Sequence, residues 1–210
     1  MRFERKYRIE NMTLASVKEV LRFHPAGFTE LYPDRQVNNI YFDSPELATF
    51  HQNVYGFNER KKYRVRWYGE DVTAIRFPNL EIKIKHNELG EKEVYPMADF
   101  ALDKLKPISR EVNEQIRFQP FLQPALLNSY RRAYLMSADG KYRVTIDHAL
   151  RYHSMLYGVR FHRYQVTDAA IILEVKYEQA DDDGVGFITQ NMPFRQDKHS
   201  KYVQGIQMTR

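Results

Sequence analysis

Charged and apolar residues alternate along five stretches of this chain. Phe3-Glu4-Arg5-Lys6-Tyr7-Arg8-Ile9, Lys62-Tyr63-Arg64-Val65-Arg66-Trp67 and Leu80-Glu81-Ile82-Lys83-Ile84-Lys85 show it most plainly. Arg143-Val144-Thr145-Ile146-Asp147 and Ile172-Leu173-Glu174-Val175-Lys176 repeat it. Successive side chains of a strand point to opposite faces. One face therefore collects Glu4, Lys6, Arg8, Lys62, Arg64, Arg66, Glu81, Lys83, Lys85, Arg143, Glu174 and Lys176, and the other collects Val, Ile, Leu, Tyr and Trp. One such strand is an ordinary solvent-facing edge. Five, with cations clustered around a few carboxylates, predict a shared lining that holds a polyanion and a metal.

Between the strands the period changes. Thr13 is placed to cap a helix running to about Phe23, with Leu14, Val17, Val20 and Leu21 on one face. Ser44-Pro45 reads as a cap and first helical position, followed by Leu47, Phe50 and Val54 at helical spacing. Further helices are predicted over 98–105 and 109–118, the latter ending before Pro120 and Pro124. The predicted strands are 2–10, 36–43, 60–69, 79–86, 91–95, 129–137, 142–148, 151–156, 159–166, 170–178 and 201–207. Asn87-Glu88-Leu89-Gly90, Asp139-Gly140 and Tyr157-Gly158 mark hairpins, and Asp181-Asp182-Asp183-Gly184 a solvated loop. Residues 1–210 read as a single domain without repeats or long linkers.

A charged sheet face cannot pack on an apolar core, because burying unpaired charges costs several kcal/mol each. Closing the sheet with its charges inward keeps them hydrated and aimed at a ligand, and amphipathic helices then cover the apolar face. The expected fold class is α+β: a closed antiparallel eight-stranded β-barrel, a polar tunnel with helices outside. An outer-membrane barrel also alternates apolar-out and polar-in. The charged N-terminus without a signal peptide, the interspersed helices and the lack of aromatic girdles argue against it.

Composition narrows the class. The chain is 43% hydrophobic and 14% aromatic, enough for a packed core. A formal net charge of +5 favours an anionic partner. There is no cysteine, which excludes disulfides and thiolate metal sites. No apolar run reaches membrane-spanning length, so a cytoplasmic location is the default expectation.

A family resemblance now emerges. Glu4-Arg5-Lys6-Tyr7-Arg8-Ile9, Asn39-Ile40-Tyr41-Phe42-Asp43-Ser44, Lys62-Tyr63-Arg64-Val65-Arg66-Trp67-Tyr68-Gly69 and Leu80-Glu81-Ile82-Lys83 are followed by Tyr130-Arg131-Arg132-Ala133-Tyr134 and Arg143-Val144-Thr145-Ile146-Asp147. Leu173-Glu174-Val175-Lys176-Tyr177 and Lys198-His199-Ser200-Lys201-Tyr202 complete the series. In this order the segments resemble the catalytic domain of the vacuolar transporter chaperone complex. That domain is one of the triphosphate tunnel metalloenzymes, which also include adenylate cyclases of the CYTH type, thiamine triphosphatases and metal-dependent RNA triphosphatases.

The resemblance implies a tunnel barrel, a divalent cation (Mn²⁺ or Mg²⁺) and a triphosphate substrate. It further implies transfer of the terminal phosphate of ATP onto polyphosphate. Position by position, Lys6, Arg64, Arg66, Lys83, Arg132, Arg143, Lys198 and Lys201 would bind phosphate, Lys92 would match a further tunnel lysine, and Glu174 would hold the metal. The phosphate-sensing domain and membrane segments that accompany eukaryotic relatives have no counterpart in these 210 residues. A membrane partner subunit is therefore compatible with the resemblance. The first strand reads Glu-x-Lys and not the Glu-x-Glu-x-Lys of the cyclase and phosphatase branch, which favours the polymerase branch.

The residue chemistry points the same way independently. Phosphoryl transfer needs positioning and charge neutralisation more than a protein nucleophile. Arginines grip phosphate oxygens bidentately, and lysines act as flexible point charges. Mg²⁺ and Mn²⁺ take oxygen ligands and keep waters, so one or two carboxylates plus substrate phosphates suffice. Glu174 is the expected principal ligand, with Glu81 and Glu4 auxiliary, since each precedes a lysine by two positions on its strand. Arg8, Lys62, Lys85 and Lys176 share the lining face and are assigned to substrate. A lone Glu-x-Lys strand pair is ordinarily a surface ion pair worth under ~1 kcal/mol. Three of them beside arginine strands favour a site.

Arg5, Arg60, Lys61 and Arg131 are expected outside or at a rim. His86, His148 and His199 lack metal-ligand spacing and read as supporting groups. Tyr7, Tyr63, Trp67, Tyr134 and Tyr177 read as packing between sheet and helices. No Walker-type phosphate loop is present. Two function classes stay open at this point. One is a metal-dependent enzyme acting on ATP or another triphosphate, as polymerase or as triphosphatase. The other is a non-catalytic polyphosphate-binding module, with an RNA reader its weaker form. The carboxylates discriminate, because a pure polyanion binder gains nothing from them. No nucleic-acid partner is expected.

Overall fold

A computed structural model describes residues 2–86, 89–117, 121–156 and 165–210. The hairpin signals at Asn87-Glu88 and Tyr157-Gly158, the end of the helix at Phe118, Pro120, and most of the strand expected over 159–166 lie outside the described residues.

The strands are β1 (Arg2–Ile9), β2 (Thr29–Asp43), β3 (Glu59–Tyr68), β4 (Ala74–Ile75), β5 (Asn79–His86), β6 (Leu89–Pro96), β7 (Phe100–Ala101), β8 (Gln123–Met136), β9 (Arg143–Ser154), β10 (Gln165–Asp168) and β11 (Ile171–Glu178). The helices are α1 (Leu14–Arg22), α2 (Ala48–Val54), α3 (Leu105–Ile116), α4 (Val185–Gln190) and α5 (Lys201–Thr209). One run of neighbouring strands is β10-β9-β11-β1 and another is β6-β5-β3-β2-β8. The paired strands described below run antiparallel. Antiparallel strands with helices on their apolar side are the fold class expected.

The chain forms two compact units. The first comprises Met1–Arg35, Tyr130–Leu150 and Asp168–His199. Here Tyr7, Ile9, Val144, Ile146, Leu173 and Val175 pack beneath Val17 and Leu21 of α1 and Val185 and Ile188 of α4. Thr13 caps α1, its side chain accepting from Ser16 N at 3.1 Å. The second unit comprises Gln36–Ser129, Arg151–Thr167 and Ser200–Arg210. Its core sets Ile40, Phe42, Tyr63, Val65, Trp67, Leu80 and Ile82 against Leu105, Ile108 and Val112 of α3. In both units the apolar strand face packs against helices, which leaves the charged face opposite.

Several predicted elements differ. Residues 201–207 form α5 in place of a strand: Ser200 caps it, and Tyr202, Gly205 and Ile206 are its buried face. That face carries i, i+3 and i+4, the helical spacing. A Cβ on Gly205 would lie 2.4 Å from Leu126 Cδ2 and 2.6 Å from Tyr152 Cδ1, so only glycine permits the seat α5 occupies. The helices expected over 98–105 and 109–118 are replaced by β7, a 3₁₀ turn at Leu102–Lys104 and the single helix α3. Pro107 falls in its first turn, where the missing N–H breaks no intrahelical bond. The strands expected at 142–148 and 151–156 are one strand, β9, with Ala149 at φ 51° within it. Finally, α2 starts at Ala48 and not at Pro45, with Leu47 left-handed at φ 57°. Its first amides donate to Ser44 Oγ, from Ala48 at 3.1 Å, and to the Asp43 carboxylate, from Thr49 at 2.8 Å and Phe50 at 2.9 Å.

Candidate active site

In the first unit, strand register builds a checkerboard of charge. Lys6 of β1 lies directly across from Glu174 of β11, and Glu4 across from Lys176. Lys6 Nζ is 3.4 Å from Glu4 Oε2 and 3.5 Å from Glu174 Oε1. Lys176 Nζ is 3.4 Å from Glu4 Oε1 and 2.8 Å from Glu174 Oε2. Each lysine therefore bridges both carboxylates. The next strand adds Thr145 across from Glu174 and Arg143 across from Lys176.

Arg132 of β8 reaches the same cluster from a buried position. Its Nε and Nη2 donate to Asp147 at 2.5 and 2.6 Å, and Nη2 lies 3.6 Å from Glu174 Oε2. Burial alone would lower the guanidinium pKa, but Asp147 outweighs it and the group is held above its ordinary value. Lys6 also donates to the backbone carbonyl of His199 at 3.3 Å. Arg8, assigned to substrate from the sequence, makes a bidentate pair with Asp168 at 2.7 and 3.0 Å and bonds Glu10 at 2.8 Å.

In the second unit the rows run across β3, β5 and β6. Lys62, Lys83 and Lys92 lie side by side in one row, and Arg64 stands across from Glu81 in the next. Arg64 donates to Glu81 Oε2 from Nε at 2.7 Å and from Nη2 at 2.5 Å. Arg66 Nη1 lies 3.7 Å from the same oxygen, and Lys92 Nζ is 3.0 Å from Oε1. Burial pushes the Glu81 pKa up; Arg64, Arg66 and Lys92 overcome it and hold the carboxyl well below the usual carboxylate range. Lys62 Nζ donates to Ser200 Oγ at 2.8 Å, the hydroxyl that caps α5. Lys201, buried at 8% exposure, opens that helix.

Several residues of this site carried no signal in the strand alternation. Asn39, fully buried, accepts from Arg66 Nε at 2.8 Å and donates to Asn128 Oδ1 at 3.4 Å. Tyr41 OH lies 3.5 Å from Arg64 Nη1, and its ring stacks on Tyr202 at 5.1 Å. Tyr202 in turn donates to Asp43 Oδ2 at 2.5 Å. Neutral amides and phenols among strand residues look like any other side chain in a sequence. Only register shows that they hold arginines.

Lys85 lies across from Arg60 and Gly90 at the far end of the β3–β5–β6 rows. Arg60 there donates to Phe57 O, consistent with a rim. Lys198 is exposed on the segment before α5. His86 is exposed beside Glu59, and half-buried His148 faces Asp34 at 3.9 Å. Tyr7, Tyr63, Trp67 and Tyr177 pack in the two cores as expected. Tyr134 does not: its ring meets Tyr32 edge-on at 5.8 Å, with Arg35 5.9 Å from its centroid.

Among the described residues, no three His, Asp or Glu side chains gather at metal-binding spacing. The checkerboard nevertheless fits a hard dication. Glu4 and Glu174 supply carboxylate oxygens, and the buried Thr145 hydroxyl beside Glu174 has no hydrogen-bond partner among the described residues. Mg²⁺ and Mn²⁺ complete such donor sets with water and substrate oxygens.

Comparison with known proteins places this geometry. The model of the VTC domain matches residues 1–210. A candidate adenylate cyclase from Bacillus halodurans superposes with a TM-score of 0.59 at 14% identity, covering 97% of this chain and 96% of that one. One from Vibrio parahaemolyticus gives 0.53 at 10% identity, covering 95% of each. A candidate adenylyl cyclase from Hippeastrum with a dominant triphosphatase activity gives 0.51 at 15% identity, covering 96% and 93%. These similarities show the CYTH-like tunnel fold. A search of the curated proteins returned no match.

Proposed function

The chain belongs to the VTC domain family, and we propose that it transfers the terminal phosphate of ATP onto a growing polyphosphate chain with the help of Mn²⁺ or Mg²⁺. The observation that carries this reading is the row of Lys62, Lys83 and Lys92, three ammonium groups on adjacent strands. Like charges placed directly opposite one another in a sheet destabilise it. A polyanion lying along the row would offset that repulsion.

Each cluster has its task. Arg64, Arg66 and Arg132 are held by neutral partners or carboxylates, so their forks are oriented before substrate arrives, and preorganised charge costs no reorganisation during reaction. The lysines, on flexible stems, neutralise charge that develops on the phosphoryl oxygens. Glu174 and Glu4 would hold the dication, which would polarise the transferred phosphoryl group and neutralise its charge. No protein nucleophile is needed when the acceptor is itself a phosphate. A pure polyanion binder has no use for Glu4 and Glu174 within its cation wall. That consideration also disfavours nucleic acid as the ligand.

The specific competing reading is hydrolysis of a triphosphate, favoured by the triphosphatase activity of the Hippeastrum protein. Transfer and hydrolysis differ only in whether phosphate or water accepts the phosphoryl group. Incubating the protein with ATP and Mn²⁺ and resolving products by gel and phosphorus NMR distinguishes them. A ladder of polyphosphate supports transfer, and free phosphate without polymer replaces it with hydrolysis. Binding of tripolyphosphate without turnover leaves only a binding module.

A further inference from the structure

Glu81 is held in the way a phosphate is held. Its side chain is 6% exposed; Arg64 closes on Oε2 with two N–H groups, Arg66 approaches the same oxygen, and Lys92 takes Oε1. A guanidinium fork with an added ammonium is the usual protein grip on an oxyanion. We propose that Glu81 is an internal anion occupying the phosphate-gripping cations of β3 and β6, which a polyphosphate displaces when it binds. The proposal rests on the phosphate-binding reading above and assigns Glu81 a task other than metal ligation.

Three observations support it. First, the cations remain placed when Glu81 leaves. Arg66 Nε is fixed by Asn39, Asn39 is tied to Asn128, and Tyr41 OH lies beside Arg64 Nη1. These neutral partners orient the guanidiniums without competing for their charge. Second, the row of Lys62, Lys83 and Lys92 adjoins the Arg64–Glu81 row, so a phosphate chain lying across both rows would meet all of these cations. A chain of phosphates carries about one charge per unit and outcompetes a single carboxylate there. Third, Glu174 contrasts with Glu81. Two of its partners are Lys6 and Lys176, whose long stems can turn to other anions, whereas Glu81 is clamped by a planar arginine fork. Metal ligation suits the first environment and internal neutralisation the second.

Displacement sets a cost on every binding event, so removing the internal anion should raise affinity. Isothermal titration with inorganic tripolyphosphate, in chelator and without metal, compares the full chain with its Glu81→Gln variant. Glutamine keeps the shape and removes the charge. The expected result is binding about tenfold tighter in the variant, within the usual range of coupling between competing sites. Equal or weaker binding in a folded variant overturns the proposal. Should Glu81→Gln fail to fold, the wild-type chain decides: the Arg64 Nε–H NMR signal must shift as tripolyphosphate saturates the protein. An unmoved signal means that Arg64 never leaves Glu81. A chain that makes no polymer yet shows tighter binding in the variant loses the polymerase reading and keeps this one.

Discussion

Lys6 and Glu174 stand directly opposite each other on β1 and β11, and Glu4 and Lys176 repeat the pairing with the signs exchanged. The four groups neutralise one another, so the cluster is stable without a ligand yet holds two carboxylates close enough to share each ammonium. Replacing Glu174 by Gln keeps the volume and removes one charge. Metal-dependent turnover of ATP should then fall roughly a hundredfold or more, the scale of losing one preorganised transition-state partner. Tripolyphosphate should still bind. Unchanged Mn²⁺-dependent turnover would remove Glu174 from the site.

The Arg132–Asp147 pair should behave as a buried ion pair. Asp147 is fully buried and Arg132 is 8% exposed. Asp147→Asn strands a guanidinium that cannot deprotonate, and breaking such a pair costs about 3–5 kcal/mol. Urea unfolding should report a loss on this scale. Adding Arg132→Met should recover part of it, because the uncompensated charge is then gone. A loss under about 1 kcal/mol for Asp147→Asn would show that the pair is hydrated.

Phosphate count and salt test the cationic faces. Affinity should rank tripolyphosphate and ATP above AMP, with adenosine weakest, and should fall steeply with ionic strength. Arg143→Ala should weaken tripolyphosphate binding by about 1.5–3 kcal/mol, the scale of a charge-assisted hydrogen bond. Adenosine binding as tightly as tripolyphosphate would mean that the base is read instead.

Acid should expose Glu81. Its carboxyl is held below its usual value of 4.5 in the folded chain. A depressed carboxylate contributes stability that is present above the unfolded pKa and is lost as pH falls toward the folded one. The stability difference between wild type and Glu81→Gln should therefore be constant near neutrality and shrink below about pH 4.5. Unfolding measured at several pH values checks this, and a difference independent of pH contradicts the triple cation cage.

The seat of α5 is testable through one glycine. Gly205→Ala places a methyl against Leu126 and Tyr152. Overpacking of this kind costs about 1–3 kcal/mol. Thermal unfolding should show it, and because Ser200 caps α5 and Lys201 opens it, tripolyphosphate affinity should drop with it. A neutral substitution would mean that the helix shifts freely.

Much of this architecture was legible in the amino-acid order. Charged and apolar residues alternate along β1, β3, β5 and β11, and period two leaves one way to bury the apolar set. That pattern put Glu4 with Lys6, Glu174 with Lys176, and Arg64 and Glu81 on charged strand faces before any pairing was known. Residues 201–207 misled because Tyr202 and Ile206 sit four apart, a separation that satisfies both the strand period and the helix period; the Ser200 cap and the fit of Gly205 against Leu126 and Tyr152 decided for the helix. Register across strands was equally out of reach. Alternation says which face a side chain takes but not which residue stands across from it. Only the paired backbones put Glu81 under Arg64, set Asn39 behind Arg66, committed Arg8 to Asp168, and gave Arg132 to Asp147. Hydrophobic period is a local property of the chain, whereas a charge acquires its role from neighbours that folding brings from far along the sequence.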